Sequence, residues 1–196
     1  MNSDLRVSEN YIYPLSSAIA YYIPNFFTNA EDILEDILTN ISFSQGQVKV
    51  GGAIHNERRL TALYGDDQNE YKYSGKSMSK LPWDPVLLEI RDLFFENFGV
   101  YYDTLLLNYY RDGNDCIGMH WDKEIKADSS ICSISLGASR YFDIHSKDGN
   151  EKHRLELHSG DLFIMGRDFH KNYKHGVPVQ KRITEPRINL TYRVDK

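Results

Sequence analysis

The sequence predicts an α+β fold that is mostly β: a jelly-roll of two sheets, with two helices from the N-terminal half packed on one of them. Three observations predict it. Helical periodicity is confined to two segments, near 29–39 and from Asp84 to Gly99. From about residue 100 onward the period changes from helical to extended, in short runs broken by Gly113, Asn114, Gly149, Asn150 and Gly160. No repeat or low-complexity linker divides the 196 residues, a length suited to one domain with a sizeable core.

The elements follow in order. The first ten residues are polar and predicted to be loose. Thr28 with Glu31 reads as a capping box, and Ile33, Leu34, Ile37 and Leu38 form one apolar stripe behind it. Residues 42–64 alternate weakly, with Gly51-Gly52 as a hairpin signal. After a polar turn at Asp66, Asp67, Gln68 and Asn69, Tyr71 and Tyr73 share one face of a short strand. Asp84 caps the second helix, Pro85 is its first residue, Gly99 stops it, and Val86, Leu87, Ile90, Leu93 and Phe94 form its apolar face. Strands are predicted at 102–110, 117–121, 131–137, 140–145, 154–158, 161–165, 173–177 and 187–193. Two helices followed by many short strands suit helices lying on a two-sheet jelly-roll.

Composition bounds the function. The chain is 41% hydrophobic and 26% charged, ordinary for a globular protein, and rich in aromatics with 14 Tyr and 9 Phe. Two cysteines, Cys116 and Cys132, make no disulfide framework, which fits a reducing interior. No signal-peptide pattern opens the chain and no apolar run is long enough to cross a bilayer. The expectation is a soluble intracellular protein, nuclear or cytoplasmic, without a membrane partner and monomeric. Net charge is -5, yet residues 145–196 carry eleven Lys/Arg against seven acids, including Lys147, Lys152, Arg154, Lys171, Lys174, Lys181 and Arg182. Such a segment is able to follow a phosphate backbone, although a surplus of this size is most often a solvated surface.

His120 and Asp122 stand two apart, so on a strand they share a face while Trp121 points the other way. One more His completes a two-His, one-carboxylate triad, which leaves positions on Fe(II) for a cosubstrate and O2. His145, His153, His158, His170 and His175 all come late enough to supply it. His175 is best placed, because a turn at Gly176 and Pro178 follows and an arginine strand comes soon after. Alone, a His-x-Asp pair is usually structural, and zinc accepts the same ligands.

The last strand changes the balance. Arg187, Asn189, Thr191 and Arg193 lie on one face of it, and Ile188, Leu190 and Tyr192 on the other. Two guanidiniums bracketing two short hydrogen-bonding residues suit a dicarboxylate, and a zinc hydrolase has no use for them. This points to an oxygenase that consumes 2-oxoglutarate. Arg187 is assigned to the distal carboxylate and Arg193 to the metal-proximal end, although order along the strand fixes neither. Asn108 and Tyr110, on one face of another strand, are able to donate to the same ligand.

These residues sit in longer segments that resemble the AlkB family of nucleic-acid dealkylating oxygenases, from about Val48 to Arg193. Asn108-Tyr109-Tyr110 resembles the family's Asn-x-Tyr strand, and His120-Trp121-Asp122-Lys123-Glu124 its His-x-Asp-x-Asp/Glu motif. Ser133 to Ala138, Gly160 to Met165 and His175-Gly176-Val177-Pro178 resemble the strands that follow. Pro186 to Arg193 is similar to the closing signature, and Arg59 to Gly65 is similar to the member that favours single strands. The resemblance implies a double-stranded β-helix core at roughly 100–194, a nucleotide-recognition lid at roughly 42–80, and one domain over 1–196. It implies Fe(II) held by His120, Asp122 and His175, with 2-oxoglutarate and O2 as cosubstrates.

It also implies a base pocket in which the flipped base lies against His120 and an aromatic of the lid, with Tyr71 and Tyr73 at the matching positions, Arg59 near the base, and Glu124 reading its exocyclic amine. A carboxylate there favours the cationic N1-methyladenine or N3-methylcytosine over the neutral base. The expected substrate is therefore alkylated single-stranded DNA or RNA. The alternative is an oxygenase of the same design acting on a protein or small molecule. The duplex-active relative carries an aromatic wedge in the lid hairpin, whereas the aligned residue here is Gly51, which cannot fill a gap in a base stack.

Overall fold

The protein is described from a computed structural model, which describes residues 6–50, 52–67, 70–73, 76–123 and 129–195. It is the expected jelly-roll. The larger sheet has the order β1 (Ala20–Ile23), β12 (Leu162–Met165), β9 (Ile131–Gly137), β14 (Arg187–Arg193), β7 (Thr104–Tyr110), β4 (Leu60–Gly65). The smaller has the order β11 (Lys152–Leu157), β10 (Arg140–Ser146), β13 (Tyr173–Val177), β8 (Ile117–His120). Two hairpins complete it: β2 (Gln47–Val50) with β3 (Ala53–Asn56), and β5 (Glu70–Tyr73) with β6 (Lys76–Ser79).

The two helices cover one face of the larger sheet. In α1 (Ala30–Asn40), Ile33 and Ile37 are buried, and in α2 (Pro85–Phe98), Leu87, Ile90, Phe94 and Phe98 are. They pack on Leu105, Leu107, Ile134, Leu190 and Tyr192, the apolar alternate residues of β7, β9 and β14. A second apolar cluster lies on the opposite side of that sheet, where Tyr110, Phe163 and Met165 meet Phe142, Ile144 and Val177 of the smaller sheet. β14 is central in the larger sheet, so both its faces are buried: the apolar one under the helices, the polar one toward the smaller sheet. That placement puts a row of polar side chains inside the barrel.

α2 begins as predicted, with the Asp84 carboxylate accepting from Val86 N at 3.0 Å, and ends at Gly99 with φ 72°. The α1 start differs. Asn29, not Thr28, is the N-cap, without a side-chain bond, and Glu31 accepts from Ser159 Oγ at 3.1 Å instead of closing a capping box. A tertiary partner took the carboxylate that the local pattern assigned to the helix end. Leu38, placed on the buried stripe, is 41% exposed. Strand β1 and the short helix α3 (Phe169–Asn172) were not predicted; β1 is held by pairing with β12, some 140 residues away in sequence.

Candidate metal centre and cosubstrate pocket

β8 and β13 pair so that His120 lies opposite His175, with ring centroids 4.4 Å apart. Asp122 follows β8 by two residues. One potential ligand atom from each of His120, Asp122 and His175 lies within 4.8 Å of the others. A divalent ion with bonds of about 2.1 Å would draw such a set together. His120 and Asp122 are oriented by neighbours outside the set, as metal ligands usually are, whereas His175 Nδ1 is buried without a hydrogen bond. His120 Nδ1 is 2.9 Å from Gly118 O, an acceptor only, so Nδ1 donates and Nε2 presents its lone pair. His175 Nε2 lies 3.6 Å from Asp122 Oδ2, and Arg193 Nη1 lies 3.3 Å from Asp122 Oδ1.

Electrostatics keep this set ready for a cation. Burial opposes ionisation of Asp122, but Arg193, His170, His175 and His120 outweigh it, and its pKa falls well below the ordinary carboxylate range. Burial holds the His175 pKa well below its ordinary value, against the pull of Asp122, so the ring is neutral and able to ligate. A third imidazole, His170 on α3, touches Asp122: its Nδ1 accepts from Asp122 N at 3.4 Å and lies 3.5 Å from Oδ2. Burial pushes its pKa down to about 4. Nothing local in the sequence marked His170 for this position, because α3 was not predicted.

The polar face of β14 lies beside this set. One pocket is lined by His120, Asp122 and His175 together with Arg187, Asn189, Thr191, Arg193, Asn108 and Tyr110. The register pairs Asn189 with Asn108 and Arg187 with Tyr110 across β7, and Asn189 with Ser135 and Thr191 with Ser133 across β9. Arg187 is 2% exposed, stands 5.3 Å above the Tyr110 ring, and donates one bond, from Nη2 to Ser135 Oγ at 2.8 Å. Its Nε and Nη1 are buried without a hydrogen bond of standard geometry. Burial lowers its pKa to about 10, with Tyr110 pulling the other way. A buried guanidinium with two idle donors is what a carboxylate would satisfy.

The remaining predicted residues differ in availability. Asn189 donates to Ser133 Oγ and Ile134 O and accepts from Thr191 Oγ1, so it braces the pocket with bonds already made. Arg59, expected near the base, is buried; its Nε donates to Asn108 Oδ1 at 2.7 Å and its Nη2 is 3.3 Å from Glu57. It thus links the lid-proximal strand to the cosubstrate strand. Tyr71 and Tyr73 stand two residues apart on β5, and the arrangement of their side chains lies outside what is described, as do Glu124 and Gly51. Ser133, Ser135, Phe142 and Met165 were not predicted as site residues. The Ser-Ile-Ser alternation in β9 was the available signal for the two serines.

With the geometry in view, the comparisons decide the family. A profile described as the 2OG-Fe(II) oxygenase superfamily matches residues 19–193. The chain belongs to that superfamily. It is an AlkB-like member, 36% identical over 177 residues to bovine "DNA oxidative demethylase ALKBH2", an alignment covering 84% of this chain and 64% of that protein. It is 32% identical over 176 residues to bovine "Alpha-ketoglutarate-dependent dioxygenase alkB homolog 3", covering 84% of this chain and 61% of the relative. The chain thus spans less than two thirds of either relative. A solved structure described as OsALKBH1 superposes with a TM-score of 0.64 over 92% of this chain and all of the other, at 17% identity, a likeness of fold. The class of enzyme is the Fe(II)- and 2-oxoglutarate-dependent dioxygenase, with Fe(II) as its metal and 2-oxoglutarate and O2 as cosubstrates. The His-Asp-His set and the idle donors of Arg187 suit both iron and a dicarboxylate. Among the described residues, no helix is long and apolar enough to cross a membrane.

Proposed function

We propose that this chain oxidatively demethylates N-alkylated nucleobases, 1-methyladenine and 3-methylcytosine, in DNA or RNA, preferring single strands. The products are the repaired base, formaldehyde, succinate and carbon dioxide. The observation that carries the reading is the convergence of His120, Asp122 and His175 beside the buried arginine face of β14. Similarity to relatives named as a DNA oxidative demethylase and an AlkB homologue supports the choice of substrate. We take residues 1–196 as one domain, with the lid at roughly 42–80 and the barrel at roughly 100–194.

Iron bound at His120, Asp122 and His175 would supply the oxidising power, by coupling O2 to decarboxylation of 2-oxoglutarate. The protein's part is position. Arg187, braced by Ser135 and Tyr110, would hold the distal carboxylate, and Arg193 would fix Asp122 while facing the metal-proximal end. Asn108 and Tyr110 would complete the wall, with Arg59 fixing the Asn108 amide. The N-methyl group gains one hydroxyl, and the resulting hemiaminal breaks its C–N bond to give formaldehyde and the free base. The base would lie between His120 and an aromatic of the lid, Tyr71 or Tyr73, and Glu124 would select its cationic form. Gly51 provides no wedge for a duplex, and extrusion costs less from a single strand.

The test is mass spectrometry of methylated single- and double-stranded oligonucleotides incubated with protein, iron, ascorbate and 2-oxoglutarate. Loss of the mass of one CH2, as N–CH3 becomes N–H, faster on single strands, is expected. If methylated oligonucleotides fail to stimulate succinate formation, the protein or small-molecule reading takes its place.

A further inference from the structure

Trp121 stands between two of the proposed ligands, with its backbone one residue, or about 3.8 Å, from each. Its indole does not line the pocket. Instead three lysine ammoniums gather round it. Lys147 Nζ lies 4.3 Å from the ring centroid, Lys123 Nζ 4.5 Å and Lys174 Nζ 5.5 Å. They come from three separate stretches: the turn after β10, the segment after β8, and β13 itself.

Strand geometry extends the cluster. His175 faces the pocket, so its neighbour Lys174 faces the outside of the smaller sheet. The register places His145 beside Lys174 and Lys152 beside His145, which makes a row across the same outer face. Lys147 is tied into the array by its own backbone, which donates to Asn172 O, and by Nζ, which donates to His170 O at 2.7 Å. The nearby acids are turned to other partners: Asp148 to Ser146 and Asn150, and Glu151 to Ser16, Tyr173 and His153. Neither Lys147 nor Lys174 has an acid partner among the described residues.

Like charges crowded on one ring repel. Burial, with Lys174 and Lys123, lowers the Lys147 pKa. An aromatic face offsets part of that repulsion, and an anion seated between the ammoniums would offset more. We propose that Trp121, Lys147 and Lys174 form a phosphodiester-binding site on the outer face of the smaller sheet, which grips the strand next to the nucleotide that enters the pocket. This rests on the nucleic-acid reading above and names where its backbone lies. The contact is to phosphate, so it positions the strand without reading its sequence.

The test is fluorescence anisotropy of a labelled single-stranded oligonucleotide carrying one 3-methylcytosine, titrated with Mn(II)-loaded protein over a series of KCl concentrations. Each lysine that neutralises a phosphate adds roughly 0.7 to the slope of log affinity against log salt for a single strand. Lys147→Gln and Lys174→Gln should each lower the slope by about 0.7, and the pair together should weaken low-salt binding on the order of tenfold. Arg6→Gln removes one charge beside Gly99 at the end of α2, on the side of the larger sheet away from the row, and should leave the slope unchanged. Slopes equal to wild type in both lysine variants, or an equal fall in Arg6→Gln, would overturn the site while leaving demethylation by wild type intact. Wild type that binds no oligonucleotide and demethylates none would overturn the site and the substrate reading together.

Discussion

Replacing Arg187 by Met separates the cost of the buried guanidinium from its use. Arg187 is 2% exposed and interacts with Ser135 Oγ and the Tyr110 side chain, while Nε and Nη1 have no hydrogen bond of standard geometry. If a carboxylate of 2-oxoglutarate takes both idle donors, two charge-assisted bonds of about 1.5–3 kcal/mol each are lost on substitution. At 1.4 kcal/mol per tenfold, the KM for 2-oxoglutarate should rise on the order of 10² to 10⁴-fold. Without cosubstrate the outcome is different. Burial has already pulled the Arg187 pKa down to about 10, a sign that the charged form is held at a cost. Methionine removes that charge, fills much of the volume, and forgoes only the Ser135 bond and the Tyr110 contact. The melting temperature of the cosubstrate-free protein should therefore stay level or rise. Succinate formation against 2-oxoglutarate concentration and thermal melting with and without 2-oxoglutarate measure the two halves. A KM change below about tenfold, or a cosubstrate-free melting temperature lowered by more than about 5 °C, would refute the reasoning.

Further outcomes are expected at other positions. Asp122→Asn should abolish the stabilisation that Mn(II) gives to wild type, about 2.7 kcal/mol at a hundred times the Kd and so roughly 5–10 °C in a thermal melt. Glu151 accepts from Ser16, Tyr173 and His153; burial raises its pKa, but these bonds outweigh it and bring the folded value to about 2. The unfolded value is about 4.3, so its stabilisation is complete above that pH and is lost as pH falls towards 2. Discounted for solvent, Glu151→Gln should lose about 1–2 kcal/mol at pH 7 and less at pH 3, as urea titrations would report. A Cβ at Gly113 would collide with the backbone oxygen of Gln180, so Gly113→Ala should cost about 2–4 kcal/mol in the same titration.

What was legible in the sequence was what short-range chemistry decides. Asp84, Pro85 and Gly99 bounded α2 because a cap, a fixed φ and a left-handed stop act within a few residues. The two faces of β14 were readable because alternation is a property of the strand alone. The polar face of a central strand was the anomaly that led to the site. The rest depended on distant partners. The capping box at Thr28 failed because Glu31 reaches Ser159, and β1 was missed because its partner β12 lies far along the chain. The choice of His175 among five late histidines rested on flanking residues; the pairing that sets it opposite His120 is a matter of register, which no local pattern displays. His170 entered for the same reason, carried to Asp122 by a four-residue helix. The lysine surplus in residues 145–196 was visible as a count, and only the sheet showed that Lys147 and Lys174 meet at Trp121.

Crystals of the protein soaked with Mn(II) and 2-oxoglutarate, measured at the manganese absorption edge, test the central claim most directly. The account predicts one strong anomalous peak among His120 Nε2, His175 Nε2 and the Asp122 carboxylate, about 2.0–2.3 Å from each, with the diacid reaching from it to the Arg187 guanidinium. An anomalous peak elsewhere, no peak at all, or a diacid lying away from Arg187 would contradict it.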